Sequence, residues 1–223
     1  LVLSTSLLDS TNNILSTTEY EYTIVGDTLK EERVYPALLK KTSYIYDEEN
    51  ALSTTRKYAY DNIGNLISYS IDGELNANIT YHEHKIVKNA PKNIEVTGGG
   101  ATLQKRSSEI DDKGNVTQIS VAVNDAVEAV YNMEYDTYGN VTKFTRPENN
   151  NGERVSVSVK YDEKQHLYPI EVFDSYGFTS YTEYNELFGL PTKQTDINGA
   201  IIEYKYDEKG RLSTITAPKE KEV

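Results

Sequence analysis

Tyrosine and aliphatic residues alternate with polar ones in short runs along this chain, and each run stops at a bend signal before the alternation resumes. Tyr20/Tyr22, Tyr44/Tyr46, Tyr58/Tyr60, Tyr131/Met133/Tyr135 and Tyr204/Tyr206 recur every second residue, the period that places a set of side chains on one face of a strand. After the bends come Leu66-Ile67-Ser68-Tyr69, Val141-Thr142-Lys143-Phe144 and Leu212-Ser213-Thr214-Ile215, rich in β-branched and aromatic types. No segment sustains a 3.6-residue period with caps. The nearest, Val121 to Val130, contains the turn signal Asn124-Asp125 and reads as a hairpin.

The bends repeat in letter as well as in place. The unit is an aromatic, an acid one position on, a glycine four on and an aliphatic six on: Tyr60-Asp61-Asn62-Ile63-Gly64-Asn65-Leu66, then Tyr135, Asp136 and Gly139, then Tyr206, Asp207 and Gly210. Asp111 and Gly114 keep the acid and glycine behind Ile110, and Asp174/Gly177 and Asp196/Gly199 are half-step copies. Asn12 and Asn50 stand in the glycine slot of two degenerate copies; asparagine best tolerates positive φ after glycine, so the slot is a turn. Units begin near 161, 173, 184, 195 and 206, the spacing of an all-β meander. The expected architecture is all-β: a long antiparallel meander of short hairpins in a curved, spiralling open sheet. It is expected to hold roughly 16 to 20 strands of about 6 to 8 residues, and sheets beyond about ten strands curl.

Composition narrows the function classes. No linker interrupts the repeat over 223 residues, so 1–223 reads as one continuous domain. With 19 Tyr against 4 Phe and no Trp, much of the apolar surface carries a hydroxyl, which suits a thin sheet whose rings are covered while their oxygens stay wet. A chain without Cys has no disulfide framework, cysteine nucleophile or thiolate metal site. The net charge of −12 argues against nucleic acid as a partner. No apolar run approaches a membrane span, and Leu1-Val2-Leu3-Ser4 lacks the features of a signal peptide. Met133 is the only methionine, so the chain is expected to be a processed product or a piece of something longer.

Candidate chemistry is sparse. His82 and His84 have a His-x-His spacing on a predicted strand that can give two zinc ligands, but only His166 remains as a third histidine, and solvated strand residues are the simpler reading. The acidic turns at Asp111-Asp112 and Asp207-Glu208 invite calcium, yet side-chain to backbone bonding in a turn accounts for them. Asn149-Asn150-Asn151-Gly152 reads as a long hairpin tip, and Gly98-Gly99-Gly100 as a mobile connection or bulge. Paired carboxylates in an acidic repeat do not mark a glycosidase, and no Gly-x-Ser-x-Gly elbow, P-loop or His-Glu-x-x-His is present. Neither an enzyme active site nor a cofactor is expected.

The repeat resembles the YD repeat of the rearrangement-hot-spot (RHS) family over nearly the whole chain, most specifically through Phe173-Asp174-Ser175-Tyr176-Gly177-Phe178, Phe188-Gly189-Leu190-Pro191-Thr192, Asp196-Ile197-Asn198-Gly199 and Tyr204 to Leu212. The similarity is to the shell of bacterial toxin-complex B components and RHS polymorphic toxins, and more distantly to teneurins. It implies a secreted or cell-surface, non-catalytic wall that encloses a toxic C-terminal cargo. Its implied partners are further repeats of the parent chain, the cargo and other toxin-complex components. The Asp-Pro motif of the family's self-cleaving segment is absent: Pro36, Pro91, Pro147, Pro169, Pro191 and Pro218 follow other residues. Expressed alone, the piece is expected to dimerise edge to edge through unblocked strands. The rival reading is an adhesion module that stacks exposed tyrosines on sugars or a receptor, for which Tyr20, Tyr58, Tyr69, Tyr138 and Tyr204 would stand free.

Overall fold

The computed structural model describes residues 1–26, 35–47 and 50–218. Every regular element among them is a strand, and the seventeen strands are hydrogen-bonded into one antiparallel sheet in which each described ladder joins a strand to its successor. The expected all-β meander of hairpins is therefore what the chain forms. No helix among the described residues is long and apolar enough to cross a membrane.

Two compact units divide the contacts: Leu1–Ser108 with Val121–Val127, and Glu109–Ser120 with Glu128–Val223. The first contains β1 (Ser4–Leu8), β2 (Ile14–Val25), β3 (Tyr35–Asp47), β4 (Asn50–Tyr60), β5 (Leu66–Ile71), β6 (Leu75–Tyr81), β7 (Pro91–Gly98) and most of β8 (Ala101–Ile110). The second takes in most of β9 (Val116–Ala122) and β10 (Glu128–Tyr135), then β11 (Val141–Glu148), β12 (Arg154–Tyr161), β13 (Pro169–Asp174), β14 (Thr179–Tyr184), β15 (Pro191–Thr195), β16 (Ile201–Tyr206) and β17 (Leu212–Thr216). At 11 to 13 residues, β2 to β4 exceed the expected length, because bend signals are sparse in that stretch. Val123 N–H donates to Val127 O, closing the hairpin expected between Val121 and Val130.

Alternation gives each unit two unlike faces. In the first, Tyr58, Tyr69, Ala77 and Val96 form one lateral row, while the next row, on the opposite face, is Lys57, Ser70, Asn76 and Thr97. In the second, Met133, Phe144 and Val157 share a row, and Glu134, Lys143 and Ser158 the adjacent one. Ion pairs on the polar faces join directly paired residues: Lys40 to Glu21 at 2.6 Å, Lys160 to Glu171 at 2.7 Å and Lys193 to Glu183 at 3.0 Å. They favour the correct register more than they add stability, since exposed pairs contribute little.

Neither face is closed over. Among the described residues Val25, Ala37 and Ala77 are the buried hydrophobic ones, and no large side chain is fully buried. The chain exposes 16287 Å², against about 10,300 Å² for a globular chain of its mass. Folding thus hides roughly three quarters of the surface that a globular chain of this length would hide. Because denaturant sensitivity scales with that surface, the urea m-value is expected at about three quarters of the globular norm for this length. Equilibrium unfolding followed by circular dichroism measures it, and a full globular value would contradict the exposed faces.

Candidate functional site

The repeat's signature residues meet at the bends, where one side-chain oxygen organises five residues. Asp111 Oδ1 accepts the N–H groups of Lys113 and Asn115 at 2.9 and 2.8 Å, and Asp111 Oδ2 accepts Asn115 Nδ2 at 2.9 Å. The backbone closes the same ring, since Gly114 N–H donates to Asp111 O and Asp111 N–H to Asn115 O. Asp9, Asp61, Asp136, Asp174, Asp196 and Asp207 build the same bend. The fourth residue is left-handed: Gly64 at φ 94°, Gly139 at 91°, and Asn12 at 66° where asparagine replaces glycine. Asn50 differs, for it pairs with Asp47 as the first residue of β4, and positions 48–49 lie outside the described residues.

Three bends carry the same logic in less legible form. Asn149 takes the acid's place, its Oδ1 accepting from Asn151 and Glu153, so the expected long tip is a regular five-residue bend. Asn185 does so with one extra residue before Gly189, and Asp162 with one extra residue before and one after His166, which adopts φ 55° in place of glycine. Gly99 and Gly100 are both left-handed between the paired Gly98 and Ala101, which makes this segment a tight two-residue hairpin and not a mobile connection.

The tyrosine before the bend has a separate task. Tyr60, Tyr81, Tyr135, Tyr161, Tyr184 and Tyr206 donate their hydroxyls to the carbonyls of Leu38, Leu66, Val116, Val141, Pro169 and Pro191, at 2.8 to 3.1 Å. Apart from Leu38, each acceptor opens the strand that follows the preceding bend on the same margin, so these bends are tied in series. Burial pushes the phenols of Tyr60, Tyr81, Tyr135, Tyr161 and Tyr184 up, which keeps them protonated donors. Asn65 Nδ2 also donates to Lys88 O, Asn140 Nδ2 to His166 O, and Lys164 pairs with Glu186.

The two margins consequently differ. On the tyrosine margin a Cβ at Gly64 would collide with the Tyr35 hydroxyl, a Cβ at Gly189 with that of Tyr168, and a Cβ at Gly210 would lie 3.0 Å from the Phe188 ring. Opposite, Gly152, Gly177 and Gly199 have nothing within 4 Å. Glycine is required there by φ alone, and at Gly64, Gly189 and Gly210 by space as well, whereas Gly139 on the tyrosine margin has only Asn115 Oδ1 at 4.0 Å.

The two neighbouring histidines are placed differently from expectation. His82 and His84 lie beyond the end of β6, not on a strand. His84 Nδ1 accepts the N–H groups of Ile86 and Val87, and His82 Nε2 lies 3.1 Å from Ser108 Oγ. Ser108 donates its one proton to Pro91 O, so His82 must donate to Ser108, the reverse of a base activating a nucleophile. Among the described residues no group of three or more His, Cys, Asp or Glu could hold a metal ion. One groove is lined by Thr182, Gln194, Ile202 and Pro218 with Asp196 as its carboxylate, another by Gly73 and Gly98 to Gly100 with Glu74; in neither do two carboxylates converge.

Acid titration follows from the bends. The Asn13 backbone N–H, with the Thr11 hydroxyl, holds the Asp9 carboxyl at about 2. The Asn115 side chain lowers Asp111, the Arg211 backbone and guanidinium lower Asp207, and the Tyr168 N–H lowers Asp162. At Asp136 burial opposes the shift, but the Asn140 amide and surrounding N–H groups outweigh it. All move away from the raised value that a general acid needs.

The fold and these bends define a repeat sheet whose conspicuous side chains serve its own backbone, and comparison with known proteins agrees. Residues 184–221 match the family model described as RHS Repeat. The crystal structure of TcdB2-TccC3 aligns with a TM-score of 0.72 at 10% identity over 96% of this chain and 16% of that one. TcdB2-TccC3 without its hypervariable C-terminal region aligns at 0.69 and 12% identity over 96% and 16%, and the Photorhabdus luminescens Tc holotoxin pore at 0.68 and 10% over 93% and 15%. This chain thus spans about a sixth of the length of those it matches, and at such identities the likeness is one of fold. No curated protein matches it in sequence. The resemblance to RHS/YD-repeat proteins holds in both the repeat and the fold.

Two measurements test the bends. Gly199→Ala is expected to cost about 1–2 kcal/mol from left-handed strain alone, whereas Gly189→Ala must also displace Tyr168 and should cost roughly 1–3 kcal/mol more; equal losses in urea unfolding would refute the difference between margins. Because the Asp9 carboxyl is lowered from 3.8 to about 2, its contribution is complete above the unfolded value and disappears as pH falls through the folded one. Melting temperature should therefore drop between about pH 4 and pH 2, less steeply in Asp9→Asn; an unchanged profile would show that this bend does not sense acid.

Proposed function

We infer that this chain is a structural, non-catalytic wall segment of an RHS-type repeat protein, part of a β-shell that encloses a toxic C-terminal cargo. The observation that carries the reading is the serial tie between bends: the repeat's tyrosines, carboxylates and glycines act on the chain's own backbone, which is what a wall extended by repetition requires. The match of residues 184–221 and the fold of the toxin-complex structures support it. On this reading residues 1–223 are one continuous run of repeats, exported or displayed at the cell surface. Further repeats of the parent chain flank the run, and cargo and other toxin-complex components are its partners. Free edges of the isolated piece pair two copies at high concentration.

Ring exposure weighs against adhesion by tyrosine stacking. Tyr20, Tyr58, Tyr69 and Tyr204 are half-buried; Tyr138, exposed at 64%, stacks on His166 with centroids 3.9 Å apart. The test is protease treatment of the native product that carries this sequence, isolated with an antibody to the chain. A non-repeat C-terminal segment should survive in the intact product and be digested once residues 109–223 are deleted. Equal digestion of both would sink the enclosing role.

A further inference from the structure

We propose that the apolar face of β2 to β5 carries a docking site for a short extended polypeptide segment in which acidic residues adjoin apolar ones, with Lys41 and Arg56 holding its carboxylates. The inference rests on the wall reading, on which the occupant is a stretch of the enclosed segment.

The two cations stand side by side on a face without acids. Tyr20, Lys41, Arg56 and Ile71 form one lateral row. The row on one side of it is Thr18, Ser43 and Thr54, and the row on the other is that of Tyr58, Tyr69, Ala77 and Val96. No carboxylate occurs in these three rows. Like charges directly opposite on neighbouring strands are unfavourable, and both of these are half-buried, where charges interact more strongly than in water. Lys41 Nζ lies 5.8 Å from the centre of the Tyr20 ring. Neither cation enters an ion pair among the described residues. Burial and Tyr69 push the Tyr58 phenol up and Arg56 opposes the shift, so the guanidinium's charge reaches into the tyrosine row.

The opposite face balances its own charges. Glu21, Lys40 and Lys57 share a row there, with Glu21 2.6 Å from Lys40 and Asp72 2.8 Å from Lys57. A chain of net charge −12 thus holds an unmatched positive pair on its apolar side. Directly paired residues sit about 5 Å apart at their Cα atoms, close enough for one segment's adjacent carboxylates to reach both, and the Arg56 fork takes a carboxylate by two parallel bonds. Apolar side chains beside those carboxylates would lie on Ile71, Tyr58 and Tyr69. A polyanion that spreads over the molecule, whether nucleic acid or anionic membrane, would meet the repulsion of the remaining charge; a short acidic segment meets the pair alone.

The probe is a short rhodamine-labelled peptide with two adjacent glutamates between leucine and phenylalanine residues, titrated with the whole chain and followed by anisotropy. Peptides with glutamine or lysine in place of the glutamates are titrated beside it. The acidic peptide is expected to bind about 5- to 50-fold more tightly than the glutamine peptide, and the lysine peptide least tightly. Lys41→Gln with Arg56→Gln should remove that preference, and Lys40→Gln with Lys57→Gln on the opposite face should leave it, with circular dichroism confirming the sheet in both. A benzophenone beside the glutamates should cross-link to residues 39–43 or 54–58 of the unsubstituted chain. Equal binding of the three peptides, the preference for lysine that net charge alone would give, an unchanged preference in Lys41→Gln with Arg56→Gln, or cross-links confined to residues 128–218 would overturn the site. Selective binding without protease protection of the C-terminal segment would retain this site and sink the enclosure; protection without selective binding would sink this site alone.

Discussion

One oxygen at each bend holds the architecture together. A carboxylate or amide that accepts the N–H groups two and four residues ahead leaves the third following residue in the left-handed region, and the chain reverses there. The requirement is for an acceptor, not for a charge, which is why Asn149 serves as well as Asp111. With the corner satisfied locally, strand length is set by the distance to the next such residue, and β15 and β3 can differ in length within one meander.

A sheet assembled in this way has neighbours only along its own sequence, and its stability is close to a sum of nearest-neighbour terms. The described ladders and the serial tyrosine bonds fit that picture, and so does the absence of any fully buried large side chain among the described residues. Tyrosine suits such a layer because its ring can be covered while its hydroxyl reaches the carbonyl that opens the strand after the preceding bend, work that phenylalanine cannot do. On the tyrosine margin the bends at Gly64, Gly189 and Gly210 are packed against aromatic rings, and those at Gly152, Gly177 and Gly199 on the other margin have open space.

The same bonding disposes of the residues that look chemical. The Asp111 carboxylate accepts three donors, and the Ser108 proton is given to a carbonyl. The shifted acids are all lowered, so they stay ionised as acceptors through the neutral range. Groups that elsewhere bind metal or move protons are employed here in shaping the backbone, and the resemblance to the toxin-complex fold is a resemblance of that scaffold.

The sequence by itself determined the strand periodicity, the corners at Gly64, Gly114, Gly139 and Gly210, and even the asparagine at position 12, because each depends on residues fewer than five apart. The tight Gly99-Gly100 hairpin and the Asn149 bend were equally local, and the latter was legible from a glycine three places after an acceptor. The Asp162 bend was not, since His166 gives no advance sign of a left-handed residue. Only the tertiary structure decided that Tyr184 would bond Pro169, that Tyr168 would pack on Gly189, and that one margin would be closed and the other open. Those contacts join residues 15 or more apart, and they exist only once intervening strands of a particular length have brought alternate bends side by side.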